Sequence, residues 1–175
     1  MQKITLGAGC FWCVETAFRR LRGVQSAVSG YSGGRTPNPT YESICSGSTG
    51  HAEVVQVEYN PTVIDTEKIL EVFFFVHDPT QLNRQGNDVG TQYRSAVFYH
   101  NDEQKTLAQK LIDELNASGK LKSKVVTEVT KFEKFFPAED YHQDYFNRNP
   151  GQGYCAAVVR PKVEKFLKTY KEYLI

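Results

Sequence analysis

Apolar and polar positions along this chain switch repeatedly between the two-residue period of a strand and the 3.6-residue period of a helix. Residues 4–6 are a short apolar run. They lead through Gly9-Cys10-Phe11-Trp12-Cys13 into Val14, Ala17, Phe18 and Leu21, spaced i, i+3, i+4 and i+7. This predicts strand, loop and helix, with Gly23 as the stop. Residues 24–30 predict a second strand and 32–39, rich in Gly and Pro, a loop. A helical turn over 40–45 should end at Ser46-Gly47-Ser48-Thr49-Gly50. From 51 to 59 the alternation places Glu53, Val55, Val57 and Tyr59 on one face, so Glu53 opens a strand on its apolar side.

Asp65 or Thr66 can cap a helix running to His77 that is apolar nearly all round and therefore buried. A long polar loop over 78–90 precedes a strand over 93–99. Asn101 with Gln104 has the spacing of a capping box and opens a helix to Gly119. A strand is predicted over 125–129, a helix from Pro137 through Tyr141 and Tyr145, and a last helix after Pro161. Strands and helices mix without hairpin spacings, which predicts an α+β single domain over residues 1–175 with a mixed sheet, flanking helices and extensive loops.

The chain has 175 residues, enough to bury a core without staples, and its 21 basic and 20 acidic residues nearly cancel. Without a basic block or a long apolar run, nucleic acid and membrane are not expected partners, and a cytoplasmic monomer is the default expectation. Four cysteines in such a chain read as catalytic, metal-binding or buried rather than as a disulfide framework.

Three kinds of chemistry compete for Cys10 and Cys13. A zinc-stabilised interaction module needs four ligands, whereas Cys45 and Cys155 are isolated and the histidines lack ligand spacing. A thioredoxin-like dithiol oxidoreductase fits a Cys-x-x-Cys after a strand and at a helix start. The bulky Phe11-Trp12 spacer instead suits holding a substrate group beside one nucleophilic thiol. Cys10, at the helix N-terminus, is expected to favour thiolate. For the third chemistry, Glu53 on an apolar face is expected to have a raised pKa and to serve as an acid. Tyr41 and Tyr93 offer phenols, Asp88 lies in the polar approach to a strand, and His51 and His142 read as hydrogen-bonding scaffold. Cys45 is expected to be buried, and Cys155, after the turn formers 149–154, to sit on a segment mobile enough to reach another thiol. Lowering a thiol pKa by about two units gains only a few-fold net, whereas protonating a departing oxygen is worth about 10² to 10⁴. Glu53 should therefore matter more than the tuning of Cys10.

Together, Gly9-Cys10-Phe11-Trp12-Cys13-Val14-Glu15, Pro39-Thr40-Tyr41, Gly50-His51-Ala52-Glu53, Asp88-Val89-Gly90-Thr91-Gln92-Tyr93-Arg94-Ser95 and Ala138-Glu139-Asp140-Tyr141-His142-Gln143 resemble the peptide methionine sulfoxide reductase A family. The resemblance spans nearly the whole chain and implies a two-layer α+β core without metal or prosthetic group. It implies reduction of the S epimer of methionine sulfoxide, free or in proteins, with thioredoxin as reductant. By the same resemblance Cys10 is the nucleophile and Glu53 the proton donor. Phe11 and Trp12 hold the substrate methyl group, Tyr41 and Tyr93 bind its oxygen, Asp88 supports the site and Cys155 is the resolving thiol. Cys13 departs from the family pattern, where glycine is common, and is a second candidate resolver.

Overall fold

The computed structural model describes all 175 residues. In chain order the elements are β1 (Gln2–Ala8), α1 (Phe11–Arg19), β2 (Val24–Ser32), α2 (Tyr41–Cys45), β3 (Ala52–Tyr59), α3 (Thr66–Phe75), β4 (Arg84–Gln85) and β5 (Asp88–Val89). There follow β6 (Ser95–Tyr99), α4 (Asp102–Ser118), β7 (Glu128–Lys131), β8 (Phe135–Pro137), α5 (Tyr145–Arg148) and α6 (Arg160–Thr169). Six strands form one sheet in the order β7-β6-β1-β3-β2-β8, antiparallel except for the parallel pair β6 and β7. This is the α+β mixed sheet expected from the pattern.

The period-2 alternation of β1 and β3 explains their central place. Ile4 pairs with Val57 and Leu6 with Val55, and all four lie fully buried in the main core with Tyr59. Val14, Ala17 and Phe18 of α1, Ile69, Leu70 and Phe73 of α3, and Phe166 of α6 close over that face. Burying each large side chain among them contributes about 1.5–3 kcal/mol. The opposite face carries only Ala52, Val54, Ala96 and Phe98, covered in part by Phe132 and Phe135. Helices therefore occupy one layer. Glu53 follows the alternation onto their side of the sheet, at the end of the strand where the apolar row begins.

Helix starts obey local chemistry. Asp65 Oδ1 accepts from Lys68 N at 2.8 Å and Asn101 Oδ1 from Gln104 N at 2.9 Å. Gln104 Oε1 reaches back to His100 N rather than to Asn101, so the expected box closes one residue early. Thr40 and Ser43 make the reciprocal box at α2.

Three expectations are corrected. The predicted strand over 125–129 begins only at Glu128, because Val125 N donates to Asn116 Oδ1 and Val126 N to Pro79 O instead of to a neighbouring strand. The polar loop over 78–90 contains the β4–β5 hairpin. The helix predicted from Pro137 is broken: Pro137 ends β8 opposite Gly30, Asp140–His142 is a 3₁₀ turn, and Asp144 sits in the left-handed region at φ 57° before α5 starts. Buried Glu15 supplies the cause, since its Oε2 captures Asp144 N at 2.6 Å while Oε1 accepts from Ser29 Oγ at 2.8 Å. A tertiary carboxylate thus overrides helical propensity.

Candidate active site

The turn from β1 to α1 is built on Gly9, whose φ of 88° disfavours any side chain. The Gln85 Cβ and Cγ lie 2.9 and 2.8 Å from where a Cβ would stand. Gln85 is anchored by both Asp78 backbone groups, at 2.8 and 3.0 Å, so the hairpin loop presses directly on the cysteine turn. Cys10 is the N-cap of α1, in an extended conformation and partly exposed. The next backbone N–H, of Phe11, donates to Glu53 Oε1 at 3.3 Å. A helix start and a strand end are joined by one hydrogen bond, and this brings thiol and carboxyl together.

Glu53 is 2% exposed, and its Oε2 is buried without any hydrogen-bond partner. Burial, opposed by the Phe11 N–H and reinforced by Asp88, raises its pKa from the ordinary 4.5 to about 8. At neutral pH it is a carboxylic acid, as expected for a proton donor. Cys10 departs from expectation. Burial first and Glu53 second push its thiol well above the usual value, outweighing the Trp12 N–H that favours the thiolate. Desolvation outweighs the helix terminus here, and the negative charges of Glu53 and Asp88 add to it. The resting site therefore holds thiol and acid, not thiolate.

Cys10, Phe11, Trp12, Tyr41, Glu53, Asp88 and Tyr93, named from the sequence, line one open cavity of about 190 Å³. Burial, with Glu53 as the next contributor, holds the Tyr41 and Tyr93 phenols above their ordinary range, so both remain O–H donors. Glu139 fixes Tyr41 from behind, its Oε2 accepting from Tyr41 N at 3.0 Å and its Oε1 from the Tyr31 hydroxyl at 2.9 Å. Trp12 is held flat by Tyr145, stacked at 4.0 Å between ring centroids, and by His142, whose Nδ1 accepts the indole N–H at 3.0 Å. His142 is the scaffold the sequence suggested, and so is His51, which binds Gly34 N and Thr36 O.

Two cavity residues escaped the sequence reading. Tyr154 donates to Asp88 Oδ2 and reaches the Cys10 sulfur, and Gln152 lies beside it. Their only signal was adjacency to Cys155.

The other thiols lie elsewhere. Cys155 is not on a mobile turn but fully buried at the start of a π-helical stretch, Cys155–Val159, that continues into α6. The turn formers before it only deliver the chain into that helix. Cys155 shares a small apolar cluster with Cys13, Phe146, Val159 and Val163, against which Trp12 and Tyr154 pack from the cavity side. Burial pushes Cys13 up to about 11 and raises Cys155. Cys45 is exposed, contrary to expectation, because α2 turns that face to solvent; its thiol hydrogen-bonds Tyr41. No three His, Cys, Asp or Glu side chains converge as metal ligands would. No helix is long and apolar enough to cross a membrane.

Comparison with known proteins gives a consistent picture. A family model described as peptide methionine sulfoxide reductase matches residues 2–174. The peptide methionine sulfoxide reductase MsrA of Nautilia profundicola is 55% identical over 172 residues, covering 98% of each chain. Among solved structures, reduced Mxr1 from Saccharomyces cerevisiae superposes with a TM-score of 0.80 at 37% identity over 88% of each chain. Mxr1 in complex with Trx2 matches at 0.57, with 28% identity over 82% of this chain and 84% of that one.

Proposed function

This chain belongs to the peptide methionine sulfoxide reductase family and reduces methionine sulfoxide; we propose that it does so through Cys10 as nucleophile and Glu53 as acid. The observation that carries the assignment is the buried, unpartnered Oε2 of Glu53 in the cavity that holds the Cys10 thiol. A neutral carboxyl with a free lone pair and proton lacks a partner that a sulfoxide oxygen would supply.

The proposed first step moves oxygen from methionine sulfur to Cys10. Glu53 donates its proton to the sulfoxide oxygen, aided by hydrogen bonds from Tyr41 and Tyr93. The sulfur becomes electrophilic and Cys10 attacks it, passing the thiol proton to the Glu53 carboxylate. Hydroxyl then transfers to Cys10, giving methionine and a sulfenic acid, with no net proton change. In the second step Cys155, or its cluster neighbour Cys13, displaces that hydroxyl as water and leaves a disulfide. An external dithiol, thioredoxin, then takes up the oxidising equivalents by exchange; the solved complex of the relative Mxr1 with Trx2 supports that reductant. All electrons come from thiols, so no metal or prosthetic group enters these steps.

Three directions fixed at a tetrahedral sulfur would select a single epimer, the S epimer by the family resemblance: oxygen toward Glu53 and the tyrosines, methyl against Phe11 and Trp12, attack from Cys10. Asp88, hydrogen-bonded to Tyr154, supports the polar side.

The test is stoichiometric. In the absence of reductant, Cys155→Ser should release one methionine per enzyme and leave Cys10 as a sulfenic acid trappable by dimedone. With thioredoxin it should not cycle. Normal multiple turnover of Cys155→Ser would move the resolving role to Cys13.

A further inference from the structure

We propose that Glu15 is a positioning residue for the wall of the cavity: by holding the turn at Asp144 it sets the angle of the Trp12 indole, without touching substrate itself. The proposal rests on the assignment of Phe11 and Trp12 as the surface that holds the substrate methyl group. Glu15 does not line the cavity and is 1% exposed. Both of its carboxyl oxygens are nonetheless committed. Oε1 accepts from Ser29 Oγ at 2.8 Å, while Oε2 accepts from Asp144 N at 2.6 Å and faces Arg19 Nε at 3.1 Å. A buried carboxyl satisfied on both oxygens holds its partners in one arrangement.

What it holds is the support of the wall. Trp12 and Glu15 stand one turn apart on α1, and Tyr145, whose ring lies flat on the indole at 4.0 Å and 12°, directly follows Asp144. Trp12, Tyr145, Asp144 and Glu15 thus form a closed circuit that begins and ends on the same helix. Asp144 has φ 57° and ψ 32°, a left-handed conformation in which a non-glycine residue stays only when its surroundings hold it. The residue before it is secured independently: Gln143 Oε1 accepts from Ser29 N at 3.0 Å and its Nε2 donates to Ser29 O at 2.9 Å. His142, which accepts the indole N–H, lies on that secured side. Asp144 is therefore the pivot between the two supports of Trp12, and its N–H is bonded to Glu15. Were the pivot to relax to ordinary helical angles, Tyr145 would be carried off the indole face while His142 stayed in place.

The experiment measures single-turnover reduction of the S epimer of methyl p-tolyl sulfoxide over a range of concentrations, together with the near-ultraviolet circular dichroism of Trp12, the only tryptophan. Glu15→Met keeps the length of the side chain but offers no carboxyl acceptor. Its half-saturating concentration should rise roughly four- to tenfold, the loss of about one methyl contact. Its saturating rate should stay within about threefold of wild type, and the Trp12 band should weaken. In Glu15→Gln the amide oxygen can still accept from Asp144 N, so affinity and band should both return. Should Glu15→Met fail to fold, Glu15→Asp retains the charge beside Arg19 and withdraws the carboxylate by one methylene, and the same rise is expected of it. An unchanged half-saturating concentration in the folded variant, with that of Trp12→Ala raised, overturns the role of Glu15. So does a fall in the reacting fraction alone, which marks a residue needed only for folding. An unchanged half-saturating concentration in Trp12→Ala would bring down the wall assignment beneath the proposal instead.

Discussion

Two thiol neighbourhoods lie on either side of Trp12, and they are opposites. The Cys10 side is open to solvent and polar, with a protonated carboxyl, three phenols and Asp88 within one cavity. The Cys13–Cys155 side is sealed and apolar, its lining Phe146, Val159 and Val163. Both raise thiol pKa values by burial, yet only the first supplies a proton where a leaving oxygen would sit. On the assignment proposed above, the contrast separates the two halves of the cycle physically: oxygen removal would take place at a preformed site, while disulfide formation would require the sealed cluster to open. A resolver stored in a dry compartment, as proposed, would not compete with substrate for Cys10.

The largest expected effect tests the polar side. Cys10→Ser should lose turnover by about 10³-fold or more, since a neutral alcohol cannot replace the thiol; residual activity above that would place the nucleophile elsewhere. Next comes accessibility. With iodoacetamide at pH 7.5 on the native protein, Cys13 and Cys155 should label at least about 10²-fold more slowly than exposed Cys45, because burial removes both access and thiolate. Mass spectrometry of timed samples reads this directly, and equal labelling would erase the distinction between compartments.

Glu53→Gln keeps shape but has no acidic proton. Single-turnover methionine release should fall about 10- to 100-fold at pH 7. In the wild type that rate should decline as pH rises through about 8, where Glu53 ionises. The variant should lack this limb, and a limb that persists would belong to another group. The smallest effect is on stability. Below pH 4.5 the carboxyl is protonated in folded and unfolded chains alike. Between 4.5 and 8 only the unfolded chain ionises, so stability falls with rising pH, by about 3 kcal/mol at pH 7. Glu53→Gln should therefore melt about 6–12 °C higher than wild type at pH 7 and equally at pH 4, by calorimetry. Identical pH dependence of the two would argue against a buried protonated carboxyl.

Local patterns carried most of this architecture into view. The alternation at Glu53, Val55, Val57 and Tyr59 is a property of the strand itself, so both the strand and the odd carboxyl on its apolar face were legible. Caps at Asp65 and Asn101 are equally local. What local pattern could not show is long-range rescue or override: Glu15 capturing Asp144 N from 129 residues away breaks a helix the residues around Pro137 otherwise favour. The same holds at the site. Cys10 looked activated because a helix terminus is visible in a sequence, whereas the burial that outweighs it, and the charges of Glu53 and Asp88 that add to it, come from tertiary packing. Cys155 looked mobile because Gly and Pro precede it, and only the packing of α6 on α1 reveals that it is sealed with Cys13. Tyr154, one tyrosine in ten, had only its place beside Cys155 to single it out.

Trp12 is the only tryptophan in the chain. Its indole is stacked on Tyr145, hydrogen-bonded to His142 and adjacent in sequence to the wall residue Phe11 and to Cys13. Nearly all long-wavelength emission of this protein therefore originates from the partition between its two thiol compartments. Excitation at the red edge of indole absorption should follow sulfenic acid formation and the opening of the Cys13–Cys155 cluster as two successive changes in intensity, in unlabelled protein and in real time.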